Sequence, residues 1–442
     1  MINSKIARPL RKSAFLLLLM ILLFAVGCGS AETVIIVLTP TWTFTPSPIP
    51  SPTQTQVAPP PPSPTLTHTP FVPRAVIKIF VQSPLSGGQA NFGTDILRGA
   101  ELAVQQLGGP FVENGYKVEL ASYDDQNTAE TAQKNASEII ADPQVLCGLG
   151  HYNSRITIET SNLYHQAGLA LVAPSATARL LTDRGYLEVN RVIGRIDGQG
   201  IAGAQYAKDQ GFSSVYIISG RSDALKNAEY FRREADRIGI RVLGMVITTL
   251  TEDNMRQIIS RLMASKPELV YITNGADQAI PFFQKARTAG YMGTFLGTEA
   301  LNDRAALNSA DPSLVEGDGL YYTITSPPAD FYPEAAKFIQ DFETYYADKP
   351  LVFAARAYDA TGICLKAIEE ASKAIDGEIP TRAQVAIAIR ALKDYQGITG
   401  TYTFNRQGDP TFVQYYVYKV VSVDEATWDQ NFIVGSYAVT PP

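Results

Sequence analysis

From about residue 75 onward, short apolar runs alternate with amphipathic segments of helical period. Val76–Val81 is a continuous apolar run with one lysine, which indicates a buried strand, and residues 96–107 repeat apolar positions at helical spacing. Strands are predicted at 76–81, 117–123, 145–149, 169–173, 190–194, 214–218, 241–248, 268–273, 294–297, 401–404 and 412–421. Helices are predicted at 129–141, 155–167, 177–183, 199–210, 224–238, 254–265, 277–290, 333–347, 354–374 and 381–392.

Strands that alternate with helices predict parallel sheets covered by helices on both faces. Because the series occurs twice, we expect an α/β protein of two Rossmann-like lobes with parallel sheets joined by a hinge. The predicted first lobe comprises 75–195 and 322–400, and the second comprises 196–321 and 401–442. Ligands of open parallel sheets bind beyond the carboxyl ends of the strands, so a cleft between the lobes is the expected binding site.

The segment before the lobes indicates export. Four basic residues precede an apolar run at 14–26 that is short for a membrane-spanning helix and typical of a signal peptide. The run ends in Ala25-Val26-Gly27-Cys28, which resembles a bacterial lipobox with Cys28 as the lipidated residue, although Ala25 replaces the usual leucine. Residues 1–28 are therefore predicted to be a lipoprotein signal peptide, and 29–74 a Thr/Pro-rich disordered linker. The linker is either a stalk or a spacer of no required length.

Composition narrows the possible functions. A net charge of -6 argues against a nucleic-acid partner, because phosphate binding requires a basic face. Three cysteines and three histidines leave little material for a metal centre, so no metal or cofactor is expected. Cys147 and Cys364 could pair only if the fold brought them together, and we expect them to be unpaired and buried.

Sequence motifs of common enzymes are missing: there is no G-x-S-x-G, P-loop, H-E-x-x-H or G-x-G-x-x-G. His151 follows a predicted strand and could serve a hydrolase together with Asp124 or Glu299, but a structural histidine is the expected interpretation. The adjacent Asp124 and Asp125 could be a pair of catalytic carboxylates, yet capping of the helix near Thr128 is the expected role. The chain is therefore predicted not to be an enzyme.

Three predicted loops carry groups suited to a zwitterion. Asn153-Ser154 and Ser175-Ala176-Thr177 each precede a predicted helix, where hydroxyls and free backbone N–H groups attract a carboxylate. Glu299 follows a strand of the other lobe and could receive an ammonium group. Taken singly, Ser154 and Thr177 could be plain helix caps, and Glu299 a solvated loop residue.

From Val76 to Phe412 the chain resembles the leucine/isoleucine/valine-binding proteins of ABC transporters, which are type I periplasmic binding proteins. The resemblance rests on short segments in the same order and spacing. These are Ser83–Gly87, Phe92-Gly93, Arg98–Ala103, Tyr123–Asp125, Leu149–His151 with Ser154, Ala173–Thr177, Leu181–Tyr186, Gln199-Gly200, Gln284–Arg287, Gly297–Glu299, Thr403-Phe404 and Gly408-Asp409.

The resemblance implies a role for each matching residue. Ser154 and Thr177 match hydroxyl residues that hold the ligand carboxylate, and Ser175, next to Ala176, matches a position that binds through its backbone. Glu299 matches the acid that receives the ammonium group, and Phe92 matches an aromatic residue that lines the ligand.

Several positions depart from the family pattern. Ala224 stands where the family commonly has a tyrosine, and Asn274-Gly275-Ala276 replaces aromatic residues, so two walls of the side-chain pocket lack rings. The family acid before Gln199-Gly200 is displaced by one residue, to Asp197. The family disulfide near the cleft is missing, because Asn127 and Asn153 occupy its positions. We therefore expect a retained amino-acid head-group site and an altered side-chain pocket, with Asp197, Ala224, Asn274 and Gly275 counted among the ligand-binding residues.

The predicted function is an extracytoplasmic solute-binding lipoprotein of an ABC importer, anchored to the cell membrane through lipid and monomeric. It would capture an amino acid or a related small polar ligand by hinge closure and pass it to the permease subunits. The main alternative is a ligand-sensing receptor module for a membrane signalling partner. A structural lipoprotein that binds no ligand is a further alternative.

Overall fold

The computed structural model describes residues 73–302, 307 and 310–442, without the side chains of 425, 428 and 429. Cys28, the signal peptide and nearly all of the predicted linker lie outside the described residues. In the described part, no helix is both long and apolar enough to cross a membrane.

The first lobe is built on a five-stranded parallel sheet of order β2-β1-β3-β4-β5. Its strands are β1 (Ala75–Ser83), β2 (Tyr116–Asp124), β3 (Val145–Gly150), β4 (Ala170–Ala173) and β5 (Val189–Arg191). Its helices are α1 (Ala90–Leu107), α2 (Gly109–Glu113), α3 (Ala129–Ala141), α4 (Ser154–Gln166) and α5 (Leu180–Asp183). The β3 and β4 strands are buried on both faces, as their apolar runs predict.

The second lobe is built on a seven-stranded sheet of order β14-β13-β10-β9-β8-β6-β7. Its strands are β6 (Ser214–Ser219), β7 (Arg241–Ile247), β8 (Leu269–Ile272), β9 (Thr294–Gly297), β10 (Leu320–Ile324), β13 (Val413–Val420) and β14 (Phe432–Val439). Its helices are α6 (Gly198–Asp209), α7 (Asp223–Ile238), α8 (Glu252–Ser265) and α9 (Ala276–Thr288). The β13 strand pairs antiparallel with both of its neighbours, so the sheet is parallel only from β10 through β9, β8 and β6 to β7.

Between β10 and β13 the chain returns to the first lobe. This part contains α10 (Ala336–Tyr346), α11 (Ala354–Lys373), α12 (Arg382–Ala391) and a small hairpin of β11 (Tyr395–Gln396) and β12 (Thr401–Tyr402). Tyr402 and Phe404 pack in the same hydrophobic cluster as Ile79 of β1. Asp409 still pairs with Arg191 of β5, and the second sheet is joined only at Val413, so the chain crosses to the second lobe about ten residues after the predicted boundary at 401. Similarly, β10 belongs to the second sheet through Ile324, past the predicted boundary at 322.

The cysteine prediction was wrong. Cys147 on β3 and Cys364 on α11 form a disulfide, and both are fully buried. They are separated by 217 residues, but α11 packs across the sheet and brings its cysteine against the central strand. The bond therefore links the returning segment to the sheet of the first lobe.

The helix predicted at 177–183 is also shorter than expected, since α5 begins only at Leu180. The backbone N–H groups of Thr177 and Ala178 both donate to the Ser154 hydroxyl. These two long-range hydrogen bonds satisfy both N–H groups without a helix, and Thr177 therefore lies in a loop.

Candidate functional site

The candidate site lies where loops of the two lobes meet beyond the carboxyl ends of their strands. On the first lobe, β3 ends at Gly150, and Asn153 caps α4 by accepting a hydrogen bond from the Arg155 N–H at 2.9 Å. On the second lobe, β9 ends at Gly297, and Glu299 begins a single 3₁₀ turn. The loop placement agrees with the expected position of a ligand site in such sheets.

Two serines join the loops of the first lobe to each other. The Ser154 Oγ accepts from the Thr177 N–H at 3.2 Å and the Ala178 N–H at 3.3 Å, which leaves its own proton available. The Ser175 hydroxyl donates to the carbonyl oxygens of His151 and Tyr152 at 3.0 and 3.1 Å. The Ser175 hydroxyl proton is thus already used, and a ligand anion there would have to bind its backbone.

Glu299 is held from both lobes. Its Oε2 accepts from the Thr325 hydroxyl at 2.8 Å, and its Oε1 accepts from the Thr177 hydroxyl at 3.2 Å. Its backbone N–H donates to the Oε1 of Gln199 at 3.0 Å. Thr177 was predicted to hold a ligand carboxylate, whereas in this structure its hydroxyl donates across the lobes to Glu299.

Burial raises the pKa of the Glu299 carboxyl above its ordinary value of 4.5, and the hydrogen bonds from Thr325 and Thr177 oppose that rise. Desolvation disfavours the charged carboxylate, so a positive partner would be strongly stabilising at this position. Among the described residues, no lysine, arginine or histidine side chain forms an ion pair with Glu299. The carboxylate therefore faces the cleft with hydroxyl partners and without a described cation.

A cavity of about 460 Å³ opens between the lobes at Glu299. Among the described residues, no lysine, arginine or histidine lines it. The lining residues are Phe92, Tyr152, Asn153, Ser154, Ser175, Thr177, Ile193, Glu299, Asn302, Ile324, Thr325, Ser326, Val352 and Phe353. Its volume, its one described carboxylate and its hydroxyl and amide groups beside an aromatic wall suit a small polar molecule that carries a positive group.

Three aromatic rings form one wall of the cavity. Phe92 and Tyr152 stack with ring centroids 5.0 Å apart and planes 4° from parallel. Phe353 meets them edge-on, at 6.0 Å from Phe92 and 5.7 Å from Tyr152. The sequence prediction found only Phe92, because the contacts of the Tyr152 and Phe353 rings with it depend on tertiary packing between segments far apart in the sequence.

Five of the predicted site residues line this cavity: Phe92, Ser154, Ser175, Thr177 and Glu299. The other five do not. Ala176 is fully buried in the first lobe, and Asp197 is buried in an ion pair with Arg195, whose Nη2 lies 2.8 Å from its Oδ2. Asp197 therefore has a partner within the protein, which accounts for its displacement from a ligand role.

The remaining three predicted residues belong to the second lobe. Asn274 is buried and donates through its Nδ2 to the Thr248 carbonyl at 3.0 Å, so it joins two loops of that lobe. Gly275 precedes the first residue of α9, and Ala224 lies in the first turn of α7. None of the three lines the cavity. The lack of aromatic side chains at these positions therefore takes nothing away from the described walls of the cavity.

The candidate catalytic groups are structural. His151 and Asp125 are fully buried, with the His151 Nδ1 at 2.6 Å from the Asp125 Oδ2 and its Nε2 at 2.9 Å from the Thr160 hydroxyl. Neither residue lines the cavity. The capping prediction was wrong in detail, because Thr128 itself caps α3 and Asp124 instead accepts from the N–H groups of nearby loops.

Gln199 was part of the family resemblance but received no role from the sequence. It is fully buried, and its Oε1 accepts from both the Glu299 N–H and the Thr323 hydroxyl, the latter at 2.7 Å. Its contact with Glu299 spans 100 residues of sequence, so local pattern could not reveal it. Gln199 fixes the turn that presents the carboxylate.

A family model described as periplasmic binding protein matches residues 76–425. The chain is 26% identical over 347 residues to a leucine-, isoleucine-, valine-, threonine- and alanine-binding protein of Pseudomonas aeruginosa, covering 78% of this chain and 89% of that protein. It is 23% identical to the Leu/Ile/Val-binding protein homolog 1 of Brucella melitensis, with 78% and 90% of the two chains covered.

Solved structures show the same fold. A substrate-binding protein of an ABC transporter from Desulfitobacterium hafniense, in complex with Leu, superposes with a TM-score of 0.66 at 22% identity, covering 81% of this chain and 100% of that one. A solute-binding protein from R. palustris in complex with benzoate superposes with a TM-score of 0.59 at 20% identity, covering 83% and 98%.

Proposed function

The chain belongs to the periplasmic binding protein family, and from that premise we propose that it is the solute-binding lipoprotein of an ABC importer and captures an amino acid or a closely related small polar ligand. The family binds solutes outside the cytoplasm and is not a family of enzymes. The observation that carries the proposal is the Glu299 carboxylate, which faces a cavity lined by hydroxyls and aromatic rings but by no described cation.

The ligand ammonium group is assigned to Glu299. The free-energy cost of removing the ammonium group from water is offset by its charge-assisted hydrogen bond to the Glu299 carboxylate. The hydroxyls of Thr325 and Thr177 already hold that carboxylate in place. The ammonium would compete with Thr177 for Oε1, which frees that hydroxyl to donate to a ligand oxygen. The contact between Thr177 and Glu299 thus stands in for the contacts that a ligand makes with each.

The ligand carboxylate is assigned to the loops of the first lobe. The remaining proton of the Ser154 hydroxyl and the released proton of Thr177 are the side-chain donors, and the backbone of Ser175 and Ala176 lies beside them. Hydrogen bonds that involve a charged partner contribute about 1.5–3 kcal/mol each, so a few are enough for micromolar affinity. The ligand side chain is assigned to the aromatic wall formed by Phe92, Tyr152 and Phe353.

Hinge closure is the proposed means of capture. Ser154 belongs to the first lobe and Glu299 to the second, so a ligand that binds both favours the closed arrangement of the lobes. The closed form is the one that we propose the permease subunits recognise.

A thermal-shift screen of the purified chain against the twenty common amino acids tests this function. A ligand present at 100 times its dissociation constant stabilises the folded state by about 2.7 kcal/mol, which raises the melting temperature by several degrees. We expect such a shift with at least one amino acid, confirmed by titration calorimetry with one ligand per chain. If no amino acid in the set gives either a shift or heat, the assignment of an amino-acid ligand is wrong.

The lipid anchor is proposed from the sequence alone, since Cys28 lies outside the described residues. A Cys28→Ala variant, expressed in a bacterium that processes lipoproteins, is expected to leave the membrane fraction, while the wild-type chain stays in it. Loss of labelling by an alkyne analogue of palmitate should accompany the change. Equal membrane retention of both proteins would exclude lipidation of Cys28 as the anchor.

A further inference from the structure

A second cavity, of about 510 Å³, lies between the lobes at the hinge and shares none of the residues that line the ligand cleft. We call it the hinge cavity and define it by Val192, Arg356, Asp394, Tyr402, Thr411 and Tyr416. Val192 and Ile193 are successive residues of the segment that follows β5, and they line the hinge cavity and the ligand cleft respectively.

The wall of the hinge cavity contains a buried cation without an ion pair. Arg356 is only 4% exposed, and the described salt bridges do not include it. Its guanidinium donates to the Ser326 hydroxyl, the Thr325 carbonyl, the Tyr332 hydroxyl and the Val192 carbonyl. All four acceptors are neutral, so they satisfy donors while leaving the positive charge without an anionic partner.

One guanidinium N–H has no described acceptor. Arginine carries five N–H donors, and the four bonds above use one at Nε, two at Nη2 and one at Nη1. The second Nη1 donor is therefore available in a residue that lines the hinge cavity.

Asp359 attracts Arg356 electrostatically but forms no described ion pair with it. Asp359 is buried, and its carboxylate accepts from the Ile398 and Thr399 N–H groups at 2.7 and 2.8 Å and from the Thr399 hydroxyl. Asp394 lines the hinge cavity but is exposed and accepts from the Thr403 hydroxyl at 3.2 Å. A negative charge at the rim disfavours a doubly charged anion more than a singly charged one.

The remaining walls favour a ligand with an apolar body. Phe412, which lines the cavity, is 67% exposed, and the buried rings of Tyr402 and Tyr416 lie deeper. Thr411, whose backbone N–H donates to the Thr403 carbonyl at 2.8 Å, adds a hydroxyl to the same cavity, and Tyr416 of β13 brings the second lobe to its wall. We propose that the hinge cavity binds a small organic monocarboxylate, with its carboxylate on Arg356 and its apolar body against these aromatic rings. Such a ligand bridges the two lobes at the hinge.

Titration calorimetry with benzoate as the probe, and inorganic phosphate as the dianionic comparison, tests the site. Thr411→Glu adds a carboxylate to the hinge cavity, and Thr411→Gln is its neutral match. Asn302→Asp adds the same charge to the wall of the ligand cleft, where Asn302 accepts from the Tyr322 hydroxyl. We expect benzoate to bind more tightly than phosphate, with affinity lowered more than tenfold by Thr411→Glu and less than twofold by Thr411→Gln or Asn302→Asp.

Three results would overturn the proposal. Benzoate that fails to bind the wild-type chain at 10 mM excludes the site. Equal losses in Thr411→Glu and Thr411→Gln show that charge plays no part. A loss in Asn302→Asp without one in Thr411→Glu places benzoate in the ligand cleft, and that result would leave the proposed solute-binding function standing.

Discussion

Replacement of Cys147 and Cys364 by alanine lowers the free energy of unfolding by about 2–5 kcal/mol, the usual range for loss of a native disulfide. The bond closes a loop of 217 residues, and long loops gain the most from closure in the chain-entropy account. It also joins β3, which is buried on both faces, to α11, which belongs to a distant part of the sequence.

Urea denaturation of the wild-type chain, the two single variants and the double variant measures this effect. Each single substitution breaks the same bond, so each is expected to lose about as much as the double variant. The double variant should also be insensitive to reductant. A double variant within 1 kcal/mol of the wild type would show that the disulfide does not stabilise the first lobe.

Replacement of Glu299 by glutamine weakens the amino-acid ligand by about 2–4 kcal/mol, or roughly 30- to 1,000-fold in dissociation constant. The substitution keeps the shape of the side chain and one acceptor for Thr325, but it removes the charge that the ammonium group requires. The ligand ammonium is then left desolvated without its carboxylate, which accounts for most of the loss.

Glu316→Gln is the matched control, because Glu316 is an exposed acid of the same lobe and does not line the cavity. It should leave the dissociation constant unchanged. An unchanged dissociation constant in Glu299→Gln would remove Glu299 from the site, whatever the ligand.

The same carboxylate also gives a pH dependence. Because burial raises the pKa of Glu299 above 4.5, protons compete with the ligand ammonium at a higher pH than they would for an exposed glutamate. The affinity is therefore expected to fall as the pH drops through that raised pKa, and the slope should vanish in Glu299→Gln. An affinity in the wild type that rises on acidification would contradict the assignment.

The lobes could be predicted from sequence because their signal is local. The apolar runs of β3, β4 and β8 and the helical spacing of α3 and α7 are each contained within a few residues. The β10 and β14 strands were missed, although both segments are largely apolar. β14 is an edge strand whose residues are mostly exposed or half-buried, so it is stabilised by pairing with β13 more than by burial in the core.

The candidate site could be predicted only in part, for a related physical reason. Ser154, Thr177 and Glu299 were found because each follows a strand that periodicity identifies and because the family resemblance marks them. The Cys147–Cys364 bond, the Phe353 ring and the Gln199 contact depend on tertiary packing between distant segments. The shortened α5 has the same cause. The backbone N–H groups of Thr177 and Ala178, which were predicted to lie in its first turn, donate instead to the Ser154 hydroxyl in another loop.

Three of the five predicted residues that do not line the cavity have another role in the fold. Asp197 neutralises Arg195, and Asn274 joins two loops of the second lobe. Ala176 is packed in the core of the first lobe. A match to the family pattern therefore identifies the equivalent position in the sequence more securely than it predicts the contacts of the residue at that position.

A crystal structure of the chain with the amino acid that gives the largest thermal shift tests the account most directly. We expect the ligand between the lobes, with its ammonium nitrogen within about 3 Å of the Glu299 carboxylate and its carboxylate on the Ser154 and Ser175 loops. A ligand bound elsewhere, or one in the cleft whose ammonium group does not contact Glu299, would contradict it.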